Sequence, residues 1–191
     1  TELNWDFPKY YPNPSKVEMM EETASFTVEN KADIGMAFDG DGDRLGACDD
    51  KGRIVWADRW LILLSRLVLR ELPGAKIIFD VKCSQALEDE IVKHGGKPIM
   101  WKTGHSLIKQ KMKEEKAELA GEMSGHIFFS DRFFGHDDAI YASCRLLEIL
   151  SRTDKTLSEL LADVPKMYST PEIRVECPDE EKFEIVKKAQ D

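Results

Sequence analysis

Apolar and polar positions alternate along the chain in blocks that predict strands and helices in turn. A short apolar run at residues 32–38 ends in glycine-rich sequence, as a buried strand would, and residues 58–70 form a longer run that predicts a mostly buried helix. From residue 76 onward the pattern predicts strands at 76–79, 97–101 and 117–120 that alternate with helices at 84–94 and 105–116. This order predicts an α/β fold with a mixed, largely parallel sheet and flanking helices.

Further elements are predicted on either side of this repeat. A polar helix is expected at 17–29, and apolar runs at 45–48 and 54–56 around turn-forming residues predict a hairpin. Toward the C-terminus, Asp137 or Asp138 could cap a helix at 139–150, and Thr156 forms a capping box with Glu159. The remaining pattern predicts a strand and a helix that begin a further unit, at 172–175 and 178–188.

The length of 191 residues favours one complete core with parts of neighbouring units, because it exceeds one average domain and falls short of two. The chain begins without methionine, in an irregular segment rich in proline and tyrosine. We therefore expect the sequence to be part of a longer chain.

Composition and charge narrow the possible partners. Hydrophobic residues make up 42% and charged residues 33%, which is typical of a globular protein and not of a disordered one. The net charge of −9 repels nucleic-acid backbones and anionic lipid, so neither nucleic acid nor a membrane is expected as a partner. The cysteines form no CxxC pair, and neither a membrane-spanning run nor a targeting pattern is visible, so we expect a cytoplasmic location.

A loop at residues 39–44, DGDGDR, places three carboxylates in alternation with glycines. The glycines permit positive φ angles, so Asp39, Asp41 and Asp43 can fold around one point. Three crowded negative charges are tolerated mainly when a hard divalent cation neutralises them, and all-oxygen ligation suits Mg²⁺ or Ca²⁺ better than Zn²⁺. We therefore predict a metal site formed by these three aspartates.

Other interpretations of this loop remain open. A solvated acidic turn is one, although a turn needs only one or two such residues. A calcium loop of the EF-hand type would use the same three aspartates and place Asp50 at its twelfth position, but Arg44 stands where that loop needs glycine, and the flanks read as strands. A haloacid-dehalogenase-like phosphatase also begins from a strand-end Asp-x-Asp, yet it does not explain the third aspartate.

A second loop at residues 121–126, GEMSGH, combines Glu122, Ser124 and His126 between an apparent strand and an apolar run. A carboxylate accepts hydrogen bonds from vicinal hydroxyls, serine can donate or accept one, and glycines let a ligand approach the backbone. Taken alone, the loop is as readily a turn with incidental polar residues.

Two further loops change that balance. Lys82 and His105 each follow a predicted strand, and α/β sheets gather their functional loops at such positions. Each residue alone is more readily a solvated loop residue. Together with Arg44 they predict a pocket for an anionic, polyhydroxylated ligand, with basic groups for phosphate and acidic groups for hydroxyls and metal.

Four segments resemble, in sequence, order and spacing, the motifs of the α-D-phosphohexomutases, particularly of the bacterial phosphomannomutase/phosphoglucomutase type. They are DGDGDR at 39–44, FDVKC at 79–83, WKTGH at 101–105 and GEMSGH at 121–126. The resemblance covers essentially the whole chain and implies a four-domain enzyme. It assigns residues 1–53 to the end of domain two with the metal loop, 54–165 to domain three with the sugar loop, and 166–191 to the start of domain four.

The resemblance also implies an activity and a set of roles. The enzyme would be an intramolecular phosphotransferase that interconverts hexose 6-phosphate and hexose 1-phosphate through a 1,6-bisphosphate. Asp39, Asp41 and Asp43 would bind Mg²⁺, and Glu122 with Ser124 would hold the 3- and 4-hydroxyls of the sugar. The candidates for charge stabilisation or proton transfer are Arg44, Lys82, His105 and His126, of which the last three would also contact substrate.

Two parts of such an enzyme are missing from this sequence. The family's phosphorylated serine lies in a Thr-Ala-Ser-His-Asn-Pro-like motif of domain one, whereas Thr23-Ala24-Ser25 is followed here by Phe26. The phosphate-binding loop of domain four has no match either. We therefore expect this chain to be inactive alone and to need domains one and four of a parent chain; the alternative is a non-catalytic module that binds metal or sugar phosphate. The preferred hexose phosphate, the general acid or base and the oligomeric state stay open.

Overall fold

The computed structural model of the protein describes residues 6–9, 11–168, 170 and 176–190. The helices and strands within these ranges are, in chain order, α1 (Val17–Glu29), β1 (Ile34–Phe38), β2 (Leu45–Asp49), β3 (Ile54–Val55), α2 (Ala57–Glu71), β4 (Lys76–Asp80), α3 (Gln85–Lys93), β5 (Lys97–Trp101), α4 (His105–Glu115), β6 (Leu119–Gly121), β7 (Ile127–Phe129), α5 (Ala139–Ser151), α6 (Leu157–Leu160) and α7 (Lys182–Gln190). The strands form two sheets, one antiparallel and one mixed.

The smaller sheet presents the acidic loop. Its strands lie in the order β1-β2-β3 and are antiparallel, and β1 pairs with β2 up to the point where Phe38 stands opposite Leu45. Residues 39–44 are therefore the connection of a hairpin, held at both ends by paired strands. Helix α1 packs against β1 and β2.

The larger sheet gathers three loops at one edge. Its strands lie in the order β5-β4-β6-β7, with β4 parallel to both β5 and β6, and with β7 antiparallel to β6. Asp80 pairs with Trp101, and Phe79 pairs with Gly121, so the carboxyl ends of the three parallel strands are nearly level. The loops that follow these strands open from the same edge, where parallel α/β sheets place their ligand sites.

Helix α2 packs between the two sheets. Eleven of its 15 residues are buried, because it contacts β2 of the smaller sheet and β6 of the larger one together with α3 and α5. Trp60, Leu61 and Leu64 are fully shielded from solvent. Burying one large apolar side chain contributes about 1.5–3 kcal/mol, so α2 holds the two sheets in a fixed relation.

The predicted α/β fold with a mixed, largely parallel sheet is confirmed. The helix predicted at 17–29 and the strand predicted at 97–101 agree with α1 and β5 residue for residue. The strand predicted at 117–120 starts two residues too early, because β6 begins at Leu119. Lys116 adopts a left-handed conformation at the end of α4, and the N–H of Ala117 donates to the Met112 carbonyl, so these two residues still belong to the helix end.

Strand β7 was missing from the sequence-based prediction. The N–H of Glu122 donates to the carbonyl of His126 at 2.9 Å, and the N–H of Gly125 donates to the carbonyl of Glu122 at 3.0 Å, so the chain reverses between β6 and β7. The loop at 121–126 is therefore a hairpin turn whose two strands are neighbours.

The C-terminal predictions are tested only in part. The helix predicted at 178–188 overlaps α7, which begins later, at Lys182, after a turn in which the Glu181 N–H donates to the Pro178 carbonyl. The strand predicted at 172–175 lies outside the described residues. Among the helices that the structure describes, none has both the length and the apolar composition needed to cross a bilayer.

Both helix-start signals in the second half of the chain are present. Thr156 and Glu159 form the reciprocal hydrogen bonds of a capping box at α6. Of the two candidate caps before α5, Asp138 is the one used, because its carboxylate accepts a hydrogen bond from the Tyr141 N–H at 2.7 Å. Asp137 has a different set of partners, described below.

Replacing Asp138 with alanine is expected to lower the free energy of unfolding by about 1 kcal/mol, because the first turn of α5 loses its acceptor. Asp138→Asn keeps an oxygen at the same position and should change that free energy by less than about 0.5 kcal/mol. Urea unfolding followed by circular dichroism measures both values. Equal losses in the two variants would mean that Asp138 stabilises α5 through its charge and not as a cap.

Candidate functional site

The acidic loop brings its three carboxylates to one point. Oxygen atoms of Asp39, Asp41 and Asp43 all lie within 4.8 Å of one another, with Asp39 buried, Asp43 half-buried and Asp41 exposed. Gly42 has a φ of +74°, which lets the backbone turn sharply between the second and third aspartate. An open cluster of carboxylate oxygens is a donor set that suits a hard divalent cation.

Asp39 is fixed by its neighbours in the loop. One of its oxygens accepts the N–H groups of Asp43 and Arg44, each at 3.1 Å, and the other pairs with the Arg44 guanidinium. Burial acts to raise the pKa of Asp39, but the hydrogen bonds and charge of Arg44 outweigh it and hold the pKa below its usual value. Arg44 also donates to the side chain of Asn13 at 3.2 Å, so its head group has a defined orientation.

The pKa of Asp43 shows the effect of its burial and of the crowded negative charges. Burial raises its pKa to about 6, with further contributions from the neighbouring carboxylates Asp39 and Asp41, while His126 acts in the opposite direction. A bound cation would favour the ionised form of this group and remove the repulsion. The residues present therefore fit a hard divalent metal.

The acidic loop and the loop at 121–126 are joined through their backbones. Arg44 and His126 form an antiparallel bridge, and the N–H of Leu45 donates to the carbonyl of Gly125 at 3.1 Å. Gly125 has a φ of +102°, and a Cβ added to it would lie 2.6 Å from the Leu45 carbonyl oxygen. Only glycine permits this approach, which sets the two loops side by side.

Glu122 is almost completely buried, with 1% of its surface exposed. Its carboxylate accepts a hydrogen bond from the backbone N–H of Gly104, in the loop after β5. Burial raises the pKa of Glu122 above its usual value, although the Gly104 hydrogen bond opposes that effect. Ser124 is half-buried, and its carbonyl accepts the hydroxyl of Ser15 at 3.1 Å.

The imidazole of His126 lies among carboxylates. Its Nδ1 is 2.9 Å from an oxygen of Asp137 and 3.6 Å from an oxygen of Asp43. Burial acts to lower the pKa of His126, but Asp137 and Asp43 outweigh it and raise that pKa overall. The ring of His105 stacks on the ring of His126, with 5.6 Å between centroids and 22° between planes.

Asp137 belongs to this cluster although the sequence analysis offered it only as a helix cap. Its side chain is 6% exposed; it contacts Lys109 at 3.0 Å and His126 at 2.9 Å, with the His105 Nδ1 at 3.9 Å. Burial raises its pKa, but His126 and Lys109 more than reverse that effect and hold the pKa far below its usual value. The sequence carries one signal for this role: two adjacent acids precede α5, and only Asp138 is used as the cap, so Asp137 is left for other partners.

The remaining predicted residues lie at the edge of the larger sheet. Lys82 is exposed in the loop after β4, and His105 is largely exposed at the first position of α4. The geometry therefore groups His105 and His126 with the aspartates of the metal loop, and it places Lys82 on the loop of the neighbouring strand.

Comparison with known proteins matches two parts of the chain to two family models. Residues 1–52 match the family model described as phosphoglucomutase/phosphomannomutase, alpha/beta/alpha domain II. Residues 56–168 match the model for alpha/beta/alpha domain III of the same family. The chain belongs to the phosphoglucomutase/phosphomannomutase family. The resemblance to the phosphohexomutases drawn from the four motifs is thereby confirmed.

Individual members of the family share about half of their residues with this chain. A phosphomannomutase/phosphoglucomutase of Pseudomonas putida is 52% identical over 185 residues, which are 97% of this chain and 40% of that protein. A phosphoglucomutase of Neisseria gonorrhoeae is 49% identical over 178 residues, 93% of this chain and 38% of that protein. A crystal structure of a phosphoglucomutase/phosphomannomutase family protein from Burkholderia thailandensis matches with a TM-score of 0.84 and 48% identity, covering 89% of this chain and 37% of that one. This chain thus spans about two fifths of the length of these relatives.

Gly125→Ala tests the junction between the two loops of this chain. The substitution adds both backbone strain and a clash with the Leu45 carbonyl, so the free energy of unfolding should fall by at least about 3 kcal/mol. Gly74→Ala is the matched control, because Gly74 has a similar φ of +82° with open space where a Cβ would stand. It should cost only about 1–2 kcal/mol, for strain alone. Chemical denaturation measures the free energy of unfolding of both variants. Equal losses in the two would contradict a tight junction between the loops.

Proposed function

We propose that this chain is the metal- and sugar-binding part of a phosphohexomutase that interconverts hexose 6-phosphate and hexose 1-phosphate through a 1,6-bisphosphate. The observation that carries the proposal is the backbone junction between the loop of three aspartates and the loop of Glu122 and Ser124. It combines a cation-binding carboxylate cluster with hydroxyl-binding groups in one place. The names of the similar proteins, phosphomannomutase/phosphoglucomutase and phosphoglucomutase, support the reaction class.

Mg²⁺ is the proposed metal, with Asp39, Asp41 and Asp43 as its ligands from this chain. When bound, the ion would neutralise the negative charge that develops on a transferring phosphoryl group. Arg44 orients Asp39 through its hydrogen bonds and keeps a positive charge beside the loop. The all-oxygen donor set and the raised pKa of Asp43 support this assignment.

The sugar is proposed to lie against the loop at 121–126, with its 3- and 4-hydroxyls on Glu122 and Ser124. One set of hydroxyl contacts can serve both orientations of a bisphosphate, so one site can take part in both half-reactions. Glu122 is covered in this structure, so a sugar hydroxyl would reach its second oxygen or replace the Gly104 N–H. We assign charge stabilisation and proton transfer to the group formed by Arg44, Lys82, His105 and His126.

We further propose that residues 1–53 and 54–165 are the end of domain two and all of domain three, and that 166–191 begin domain four. The relatives' greater length supports a parent chain with further domains. The phosphoserine would come from domain one, since Ser25, in the only Thr-Ala-Ser triplet of the sequence, lies on α1 and donates to the Glu21 carbonyl within that helix.

Asp41→Asn tests the metal assignment. The change removes one carboxylate at the exposed side of the loop and leaves the Asp39–Arg44 pair in place, so Mg²⁺ affinity should fall at least about ten-fold. Asp50→Asn is the control, because Asp50 would be the twelfth position of an EF-hand-like loop. Isothermal titration calorimetry measures both. Unchanged affinity in Asp41→Asn would favour a merely solvated acidic turn, and a loss in Asp50→Asn would favour the EF-hand-like loop.

Ser124→Ala tests the sugar assignment. Glucose 1-phosphate titrated into the chain with Mg²⁺ should bind, and removal of the hydroxyl should weaken binding about five-fold or more, the effect of one lost hydrogen bond. Ser25→Ala on α1 is the matched control and should leave the affinity unchanged. Equal affinities in wild type and Ser124→Ala would count against a hydroxyl contact at this loop.

Catalysis is tested separately from binding. In a coupled assay for mutase turnover, the chain alone should be inactive, and addition of separately produced first and fourth domains of a relative should restore activity. Binding of metal and sugar phosphate without restored turnover would favour the alternative of a non-catalytic binding module. Turnover by the chain alone would contradict the assignment of the phosphoserine to another domain.

A further inference from the structure

Asp80, the last residue of β4, is a buried carboxylate that receives hydrogen bonds from three separate loops. Its exposed fraction is 0%. One oxygen accepts from the Cys83 thiol and from the Met123 N–H, each at 3.1 Å, and the other accepts from the Thr103 hydroxyl at 2.9 Å. The three donors belong to the loops that follow β4, β5 and β6.

Each donor stands within two residues of a side chain that the proposed function places at the ligand. Cys83 is next to Lys82, Thr103 precedes His105 by two positions, and Met123 lies between Glu122 and Ser124. A second contact acts in the same direction, since the Gly104 N–H donates to Glu122 and so ties the loop after β5 to the loop after β6.

The sheet itself does not align these loops beyond its edge. Parallel pairing of β4 runs as far as Asp80 opposite Trp101 and Phe79 opposite Gly121, and one further backbone hydrogen bond, from the Val81 N–H to the Trp101 carbonyl at 3.0 Å, follows it. A carboxylate can be buried there because three donors satisfy it. Burial and the adjacent Asp80 raise the pKa of the Cys83 thiol, which keeps this thiol protonated as a donor.

We propose that Asp80 is a positioning residue that sets the mutual placement of the three ligand loops and thereby the affinity for a sugar phosphate. It acts through the loops and does not itself contact ligand or metal. The identity of the ligand rests on the function proposed above, whereas the placement of the loops can be measured without any ligand.

The first test is amide hydrogen exchange of the ligand-free chain by NMR, with Asp80→Ala against Asp49→Ala. Asp49 is a matched control because it is also a buried carboxylate, 2% exposed, and it accepts the N–H groups of Lys51 and Arg53 in the β2–β3 turn. In Asp80→Ala, the Met123 amide should exchange about ten-fold faster or more than in Asp49→Ala. Asp80→Asn retains an acceptor oxygen and should recover much of the protection.

The second test is the affinity for glucose 1-phosphate in the presence of Mg²⁺. Asp80→Ala should bind the sugar phosphate about ten-fold or more weakly than wild type, with Mg²⁺ affinity within about two-fold, because none of its three hydrogen bonds reaches the acidic loop. A general loss of stability would reduce both affinities together, and Asp49→Ala measures that contribution.

Thr103→Val gives the same test without a change of buried charge, because Thr103 is exposed and the substitution removes only one donor. It should speed exchange at residues 102–105 and weaken sugar-phosphate binding several-fold. Unchanged Met123 exchange in Asp80→Ala, or unchanged loop exchange and affinity in Thr103→Val, would overturn the positioning role. A wild-type chain that does not bind the sugar phosphate would overturn the proposed function instead, while the exchange comparison would still decide the role of Asp80.

Discussion

The hydrogen bond from the Leu45 N–H to the Gly125 carbonyl is the contact on which the arrangement of the site depends. Leu45 opens β2 directly after the acidic loop, and Gly125 lies in the turn between β6 and β7. Because the contact joins two backbones, the spacing between the aspartates and the loop of Glu122 and Ser124 is set by the main chain and not by adjustable side chains. The left-handed conformation of Gly125 permits this approach. Two sheets of different construction therefore support one site.

Negative charge is concentrated around this junction, and the fold accommodates each carboxylate in a different way. Asp39 is held ionised by Arg44, and Asp137 by His126 and Lys109. Burial raises the pKa of Glu122, and the hydrogen bond from the Gly104 N–H opposes this effect only in part. Burial, together with the neighbouring acids in the loop, raises the pKa of Asp43 to about 6 despite His126. The least compensated charge is thus found where a cation would bind.

Local signals were sufficient for much of the fold and for part of the candidate site. Local sequence patterns located α1 and β5, and cap residues located the starts of α5 and α6, since each of these depends on residues within a few positions. The three aspartates are neighbours in sequence, so their convergence could be predicted. Asp80 and Asp137 could not be assigned, because apart from Cys83 the partners of Asp80 lie 23 and 43 positions away, those of Asp137 lie 11 to 32 positions away, and only the tertiary fold brings them together. Strand β7 was not predicted, because a run of three apolar residues is too short to show the periodicity of a strand or a helix.

The burial of α2 on both sides has a consequence for motion. A hinge between the two sheets would have to open an interface lined by Trp60, Leu61 and Leu64, whereas hinged units usually meet across small and partly polar surfaces. The acidic loop and the turn beside it are therefore expected to keep a fixed position relative to each other. Under the proposed function, a bisphosphate would therefore reverse end for end in front of two loops that keep their relative position.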